Sequence, residues 1–195
     1  MSLREIGPGI FSATSRRDSL NSVVVAAGES EPEVLLIDPG WEPDELDALA
    51  QSLAERGLVP VAGLSTHAHY DHLLWYPRFG DVPRWASTAT TRLAIEHRAE
   101  LLLDLGPKYP AEVIGSFGLQ RAIAGSTLPW SWREIELVVH DGHAAGHTAA
   151  WIPDCRVLIA GDMLSDLEIP LLDDTPDASR AVPPSARLSS PHSSS

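Results

Sequence analysis

Three of the eight histidines of this 195-residue chain lie within one six-residue segment, 67–72, which reads His-Ala-His-Tyr-Asp-His. The segment follows an apolar run, residues 59–64, that is typical of a buried strand. His67 and His69 are two residues apart, so an extended chain leaving that strand directs both imidazoles to the same side. Neutral imidazole nitrogens in that arrangement can bind one divalent cation. The segment therefore predicts a metal site at the end of a strand, whereas solvated loop histidines are the alternative interpretation.

Further candidate ligands follow this pair. Asp71 and His72 offer one oxygen and one nitrogen, so a single short loop could supply two metals about 3.5–4 Å apart. Asp162 comes directly after the apolar run 157–160 and Gly161, and a carboxylate in that position can bridge two cations. A turn-capping aspartate is the alternative for Asp162. The separation of about 3.5–4 Å between the two metals is typical of a two-metal hydrolytic site.

The rest of the chain alternates short apolar runs with helical patterns, which predicts an α+β fold in layers. Residues 43–57 and 90–105 are predicted to form helices. Residues 106–132 contain many Gly and Pro, and a loop of this length is a candidate lid. Strands are predicted near residues 10–13, 22–26, 34–37, 59–64, 135–139, 149–152 and 157–160.

The end of the chain differs in composition from what precedes it. Residues 178–195 include seven Ser and three Pro, with Val182 and Leu188 as the large aliphatic residues. Such a segment buries too little apolar surface to offset the entropy of ordering it. We expect one domain over residues 1–177 and a disordered tail over residues 178–195.

Composition limits the compartment and the partners. Cys155 is the single cysteine, which excludes an internal disulfide framework and an all-cysteine zinc site. No apolar run approaches the roughly 18 residues of a membrane span, and the first residues lack a secretory signal pattern, so we expect a cytoplasmic protein. The formal net charge is −13, from 14 basic and 27 acidic residues, and it would repel nucleic acid. A small-molecule substrate is the expected partner, and the sequence leaves the oligomeric state open.

Several motifs together resemble the metallo-β-lactamase superfamily of hydrolases. They are Asn21-Ser22, Ile37-Asp38-Pro39-Gly40, the segment 66–72, Gly142-His143 and the segment 158–162. The resemblance implies an αββα sandwich of four layers with up to two zinc ions at one edge. It assigns the first metal to His67, His69 and His143, the second to Asp71 and His72, and it makes Asp162 the ligand shared by both.

The resemblance leaves a choice between His143 and His147 as the third ligand of the first metal. Aligning the glycines of the family segment favours His143, which stands 19 residues before Asp162. His147 would then be a residue behind the ligands or in the core. For Asp38 we expect hydrogen bonds that orient the metal-binding loop, and turn chemistry alone explains its Asp-Pro-Gly sequence equally well.

The chain also departs from the family pattern. Relatives complete the second metal site with a histidine well beyond the position of Asp162, and the only later histidine here is His192, inside the Ser- and Pro-rich tail. We therefore expect an incomplete C-terminus and a weakened second metal site. Leu73, Leu74 and Trp75 replace the glycine that many relatives have after His72. Trp75, Trp130 and Trp132 are candidate substrate contacts, while hydrophobic anchoring of the 106–132 loop explains the last two at least as well.

The implied activity is zinc-dependent hydrolysis of an ester, lactone or thioester by a metal-bound hydroxide, with Asp71 orienting the nucleophile and carrying a proton. An aspartate in the bridging position, as at Asp162, is closer to the lactonase and glyoxalase-II-type thioesterase relatives than to the main β-lactamases. A catalytically impaired metal-binding remnant is the alternative, and β-lactam hydrolysis is a further one.

Overall fold

The computed structural model describes residues 2–28 and 30–164, so the predictions for the tail at residues 178–195 and for His192 lie outside the described residues. The described part contains ten strands in two sheets and four α-helices. Their bounds are β1 (Arg4–Gly7), β2 (Ile10–Thr14), β3 (Asn21–Ala26), β4 (Glu33–Ile37), α1 (Pro43–Glu55), β5 (Val59–Leu64), β6 (Arg84–Ser87), α2 (Thr88–Glu96), α3 (Arg98–Leu105), α4 (Ala111–Ser116), β7 (Arg121–Ile123), β8 (Glu136–His140), β9 (His147–Ile152) and β10 (Val157–Ile159).

The larger sheet has seven strands in sequence order, β1 to β7. Strands β1 to β4 pair antiparallel, whereas β4 to β7 pair parallel. Parallel pairing brings the carboxyl ends of β4 and β5 to the same edge, because Ile37 is in register with Leu64. The loops that follow these two strands, which contain Asp38 and the segment 66–72, therefore start side by side.

The smaller sheet is an antiparallel arrangement in the order β10-β9-β8. It packs face to face on the larger sheet across a core of aliphatic side chains from both. Alternation along β3 shows how the larger sheet is buried on both faces: Val23 and Val25 belong to this inter-sheet core, while Val24 belongs to a second core beneath the helices.

All four helices pack on the outer face of the larger sheet. Their buried side chains, such as Leu46, Ala94, Leu105 and Val113, all lie in the core beneath that face. The described residues thus form three layers, helices on sheet on sheet, in the α+β class that the sequence predicts. Val138 and Leu158 on the outer face of the smaller sheet are about half exposed, so among the described residues no helix covers that face. None of the described helices is long and apolar enough to cross a membrane.

Two predicted elements differ from the structure. The helix expected over residues 90–105 is divided into α2 and α3 at His97, where the backbone leaves the helical region at φ −104° and ψ 15°. The second is the segment 106–132, which was predicted as a loop and contributes to the body of the fold. It contains α4 and β7, and its side chains Phe117 and Leu128 lie in the two cores, because apolar residues between the glycines and prolines find partners there.

Candidate metal centre

Four loops meet at one edge of the two packed sheets. Asp38 follows β4, the segment 66–72 follows β5, residues 141–146 join β8 to β9, and a turn of 3-10 helix, Gly161–Met163, follows β10. A backbone hydrogen bond from the Thr148 N–H to the Thr66 carbonyl, 2.8 Å long, ties the two sheets together at this edge. The topology therefore brings together the side chains that the sequence singles out.

The predicted ligands of the first metal converge on one point. His67 Nε2 lies 2.9 Å from His69 Nδ1 and 3.2 Å from His143 Nε2. His143 Nε2 lies 3.3 Å from His69 Nδ1. Asp162 Oδ2 completes the group at 3.6 Å from His143 Nε2 and 3.8 Å from His67 Nε2. One ligand atom from each of these four residues lies within 4.8 Å of the others.

These spacings fit a tetrahedral metal site. A zinc ion with ligand bonds of about 2.0–2.1 Å holds its ligand atoms about 3.3 Å apart. The three nitrogen–nitrogen distances of 2.9 to 3.3 Å are close to that value. The donor set of three imidazoles and one carboxylate is one that borderline-soft divalent ions accept. The residues present therefore fit a divalent metal.

Asp38 and Thr66 orient two of the histidines from behind. Asp38 accepts hydrogen bonds from the Thr66 backbone N–H at 2.9 Å and from the Thr66 hydroxyl at 2.6 Å. Because the Thr66 hydroxyl donates to Asp38, it accepts from His67 Nδ1, 3.0 Å away, and the lone pair of His67 is left at Nε2, facing the site. Asp38 Oδ2 also lies 2.9 Å from His72 Nδ1, which likewise leaves Nε2 of His72 facing inward.

A second, less complete group lies beside the first. His72 Nε2 is 3.3 Å from Asp162 Oδ2 and 3.5 Å from Asp71 Oδ2. Asp162 Oδ2 thus faces both groups, as a bridging carboxylate would. The described residues contribute no further histidine to this second group.

The charges in the metal-free site are unevenly distributed. Burial and the surrounding imidazoles lower the pKa of His67 far below its usual value, so His67 is neutral and available as a ligand. Burial alone would lower the pKa of His72, but the carboxylates of Asp71 and Asp38 raise it well above its usual value. Burial opposes ionisation of Asp162, yet the hydrogen bond and charge of His72 lower its pKa to about 2. A cation in the second group would take the place of the proton that these carboxylates stabilise on His72.

The structure distinguishes the roles of His143 and His147. His143 Nε2 faces His67 and His69, whereas His147 is fully buried and stacks on the face of His67, with ring centroids 5.0 Å apart. The Gly142 N–H donates to His140 Nδ1, so a neutral His140 carries its proton on Nε2 and donates to His147 Nδ1, 3.2 Å away. His147 is then protonated at Nε2, and a protonated nitrogen has no lone pair for a metal. His147 therefore lies behind the ligands.

The loop that carries His143 is constrained. His143 has a left-handed backbone, with φ +68°, which is uncommon for a residue other than glycine. The Asp141 carboxylate accepts a hydrogen bond from the Gly146 N–H at 2.9 Å and closes the loop on itself. The Gly146 carbonyl in turn accepts hydrogen bonds from the hydroxyls of Ser87 and Thr90, which fix the loop to the start of α2. Backbone strain of this kind concentrates at functional sites.

Gly161 holds Asp162 in place by leaving room for His147. A Cβ atom at Gly161 would lie 2.6 Å from His147 Nε2 and 3.1 Å from the Thr66 hydroxyl oxygen, and its φ is +55°. Gly57 also has a left-handed backbone, at φ +68°, but a Cβ atom there would meet nothing within 4 Å. Alanine substitutions at these two glycines form a matched pair. Both introduce backbone strain, but only the one at Gly161 adds a steric clash.

We expect Gly57→Ala to lower the free energy of unfolding of the metal-free protein by about 1–2 kcal/mol, the cost of a left-handed alanine. Gly161→Ala should lower it by about 1–3 kcal/mol more, because the added methyl group displaces His147 or Asp162, and it should also reduce the bound metal. Urea unfolding and metal analysis of both variants check this. Equal losses of stability with unchanged metal content would show that the close approach at Gly161 has no role.

The predicted substrate contacts lie in other places. Trp75 is buried beneath the helices, where its Nε1–H donates to the Gly80 carbonyl at 2.9 Å and its ring packs edge-on against Phe79. The segment thus turns the side chain of Trp75, a candidate substrate contact, into the core. Trp130 lies in the inter-sheet core and Trp132 is about half exposed.

Two residues of the centre were not assigned these roles from sequence. Thr66 links Asp38 to His67, and His140 forms a hydrogen bond with His147. A threonine between a buried strand and a ligand histidine carries no signal of its own in one sequence. His140 stands seven residues before His147 on the neighbouring antiparallel strand, and knowledge of that hairpin register would have paired the two.

Comparison with known proteins agrees with this geometry. The family model described as the metallo-beta-lactamase superfamily matches residues 16–191, which is most of the chain. The chain belongs to the metallo-beta-lactamase superfamily. The resemblance read from the sequence motifs and the α+β fold class are thereby confirmed.

The individual relatives share modest sequence identity with this chain. The chain is 26% identical over 147 residues to a probable metallo-hydrolase, YqgX, of Bacillus subtilis (strain 168), in a match that covers 69% of this chain and 63% of that protein. The chain thus spans less than two thirds of the length of this curated relative. Among solved structures, TTHA1623 in a di-iron-bound form is 28% identical, with a TM-score of 0.61 over 85% of this chain and 77% of that one. The BLEG-1 B3 metallo-beta-lactamase is 20% identical, with a TM-score of 0.63 over 84% and 77%, and shows the fold alone.

Proposed function

We propose that this chain is a metal-dependent hydrolase that cleaves an ester, lactone or thioester bond, with zinc as its metal. The observation that carries the proposal is the convergence of His67, His69, His143 and Asp162 at distances that suit one divalent ion. Zinc fits the imidazole-rich first group, and the di-iron form of TTHA1623 makes iron the competing metal. When bound, a divalent metal supplies positive charge that polarises a carbonyl group and acidifies water.

Asp71 is the residue that we assign to proton transfer. Its side chain is mostly buried, and burial raises the pKa of its carboxyl group, which suits a group that must accept and release a proton. Its Oδ2 atom points into the second group, 3.5 Å from His72 Nε2. From there it would orient the attacking water, accept a proton from that water and then pass the proton to the leaving group. Asp38 and Thr66 would keep His67 and His72 in their ligand orientation throughout.

A hydrolysis screen on zinc-loaded protein tests this function. The panel should contain an uncharged ester, a lactone, a thioester and a β-lactam, each with and without a metal chelator. We expect turnover of at least one of the first three substrates and its loss on chelation. Asp71→Asn should lower kcat by about 100-fold or more, since it removes the proton carrier, and it should weaken the zinc of the second group while the zinc of the first group stays bound. Asp154→Asn is the control, because Asp154 pairs with Arg133 at the protein surface.

The alternatives correspond to other outcomes of the same screen. Bound metal with no turnover of any substrate would contradict the proposal and favour the catalytically impaired remnant. Turnover of the β-lactam alone would favour β-lactam hydrolysis. Equal activity of Asp71→Asn and Asp154→Asn would remove Asp71 from the mechanism.

A further inference from the structure

A cavity of about 230 Å³ opens beside the metal centre. One of the metal-centre histidines, His69, forms part of its wall, so the cavity adjoins the metal centre. At roughly 30 Å³ for each water-sized volume, the cavity has room for about seven or eight non-hydrogen atoms. It is therefore of a size to take one substituent of a substrate.

Much of the wall comes from the end of α2 and from α3. Its residues are Leu93 in α2, His97 between the two helices, and Glu100, Leu101 and Asp104 in α3. The remaining wall is formed by small apolar side chains from the two metal-binding loops, at Ala68, Ala144 and Ala145.

The two carboxylates of this wall, Glu100 and Asp104, are its acidic side chains, and its basic side chains are the histidines His69 and His97. Glu100 accepts a hydrogen bond from His97 Nδ1 at 2.8 Å and is thus held against α2, and Asp104 lies one helical turn further on. Among the residues that the structure describes, no lysine or arginine lines the cavity, and the whole chain carries a formal charge of −13. A carboxylate or phosphate on the substrate would meet like charge here, whereas an alkyl chain would meet leucine and alanine.

We propose that this cavity binds the acyl group of the substrate, and that it selects short apolar acyl groups with an uncharged or cationic end while rejecting anionic ones. The inference rests on the proposed function and specifies its substrate class. Leu93, Leu101 and the three alanines provide the apolar surface, and Glu100 and Asp104 provide the selection against negative charge.

Three hydroxamates of equal chain length test the charge preference, because they share a metal-chelating group and differ only at the far end. They are hexanohydroxamate, 6-aminohexanohydroxamate and the monohydroxamate of adipic acid, and their Kd values for zinc-loaded protein can be measured by calorimetry. We expect the ammonium and methyl compounds to bind within a few-fold of each other. The carboxylate compound should bind about tenfold more weakly, from two solvent-facing like-charge contacts.

Matched variants connect the preference to the wall. In Glu100→Gln/Asp104→Asn the penalty on the carboxylate compound should fall below about threefold. Glu55→Gln/Glu136→Gln removes the same charge from exposed positions that do not line the cavity and should leave the penalty unchanged. Ala145→Phe should weaken hexanohydroxamate by about tenfold while acetohydroxamate, which is too short to fill the cavity, binds as before.

Each result decides between the two proposals. Equal binding of the three hydroxamates, no binding of any of them to metal-loaded protein, or a penalty that persists in Glu100→Gln/Asp104→Asn would overturn the assignment of the pocket. Ester turnover without charge discrimination would contradict the pocket alone. Discrimination among the hydroxamates without turnover of any ester, lactone or thioester would contradict the proposed hydrolysis alone.

Discussion

His143→Asn is expected to raise the Kd for zinc by more than about 100-fold, whereas His147→Asn should raise it by only about tenfold. The first substitution removes a nitrogen that lies 3.2 Å from His67 Nε2 and 3.3 Å from His69 Nδ1. The second removes a ring that stacks on His67 and lies outside the group of four candidate ligands. Loss of a direct ligand costs more than the 10–100-fold that is typical of residues behind the ligands.

His143→Asn and His147→Asn are well matched because asparagine can adopt the backbone or keep the hydrogen bond that each position requires. Asparagine tolerates the left-handed backbone of residue 143, at φ +68°, so His143→Asn adds little strain. At residue 147, an asparagine side-chain oxygen can still accept the hydrogen bond from His140 Nε2. Competition with a zinc-binding dye gives both Kd values. The reverse order, with His147→Asn the more damaging, would show that the alternative ligand assignment is correct.

Asp38→Ala should be the most destabilising single substitution near the centre. Asp38 is buried and accepts hydrogen bonds from the backbone and hydroxyl of Thr66, and it pairs with His72. Removing one partner of such a buried, charge-assisted network costs about 3–5 kcal/mol. We expect that loss in the free energy of unfolding of the metal-free protein, measured in urea.

Two controls separate the network from the backbone. Asp18 has a similar left-handed backbone, at φ +50° against +46° for Asp38, but its side chain is exposed. Asp18→Ala should therefore show only the backbone cost of about 1–2 kcal/mol. Asp38→Asn keeps an acceptor oxygen and tolerates the left-handed backbone, and we expect it to lie between the two alanine variants. If Asp38→Ala and Asp18→Ala lost the same stability, the hydrogen bonds of Asp38 would contribute nothing measurable.

Most of the metal centre can be predicted from the sequence because the candidate ligands are concentrated in short motifs at strand ends. His67, His69 and Asp162 are recognisable from their spacing and their position after apolar runs, and the structure brings them together. His143 needed the family resemblance, since nothing in the local pattern distinguishes it from His147. The hydrogen bonds that make the distinction run through His140, whose pairing with His147 depends on the register of β8 and β9.

Elements held mainly by tertiary packing were harder to predict. The three-residue strand β7 lies among glycines and prolines in a segment that reads as loop, and it joins the sheet because β6 offers a parallel edge. The division of α2 from α3 at His97 interrupts no apolar pattern, so periodicity alone extended one helix across it. The burial of Trp75 beneath the helices likewise depends on tertiary contacts, such as that with Phe79, which the sequence pattern does not show.

Metal content measured by native mass spectrometry, on zinc-loaded protein of confirmed intact mass, tests the central claim most directly. The arrangement of His67, His69, His143 and Asp162 predicts one tightly held zinc per chain, and the smaller group of Asp71 and His72 predicts a second that is lost first on dilution. Since Asp162 Oδ2 faces both groups, Asp162→Ala should weaken both ions together. A chain that binds no zinc after loading, or an Asp162→Ala variant that retains both ions at unchanged affinity, would contradict the account.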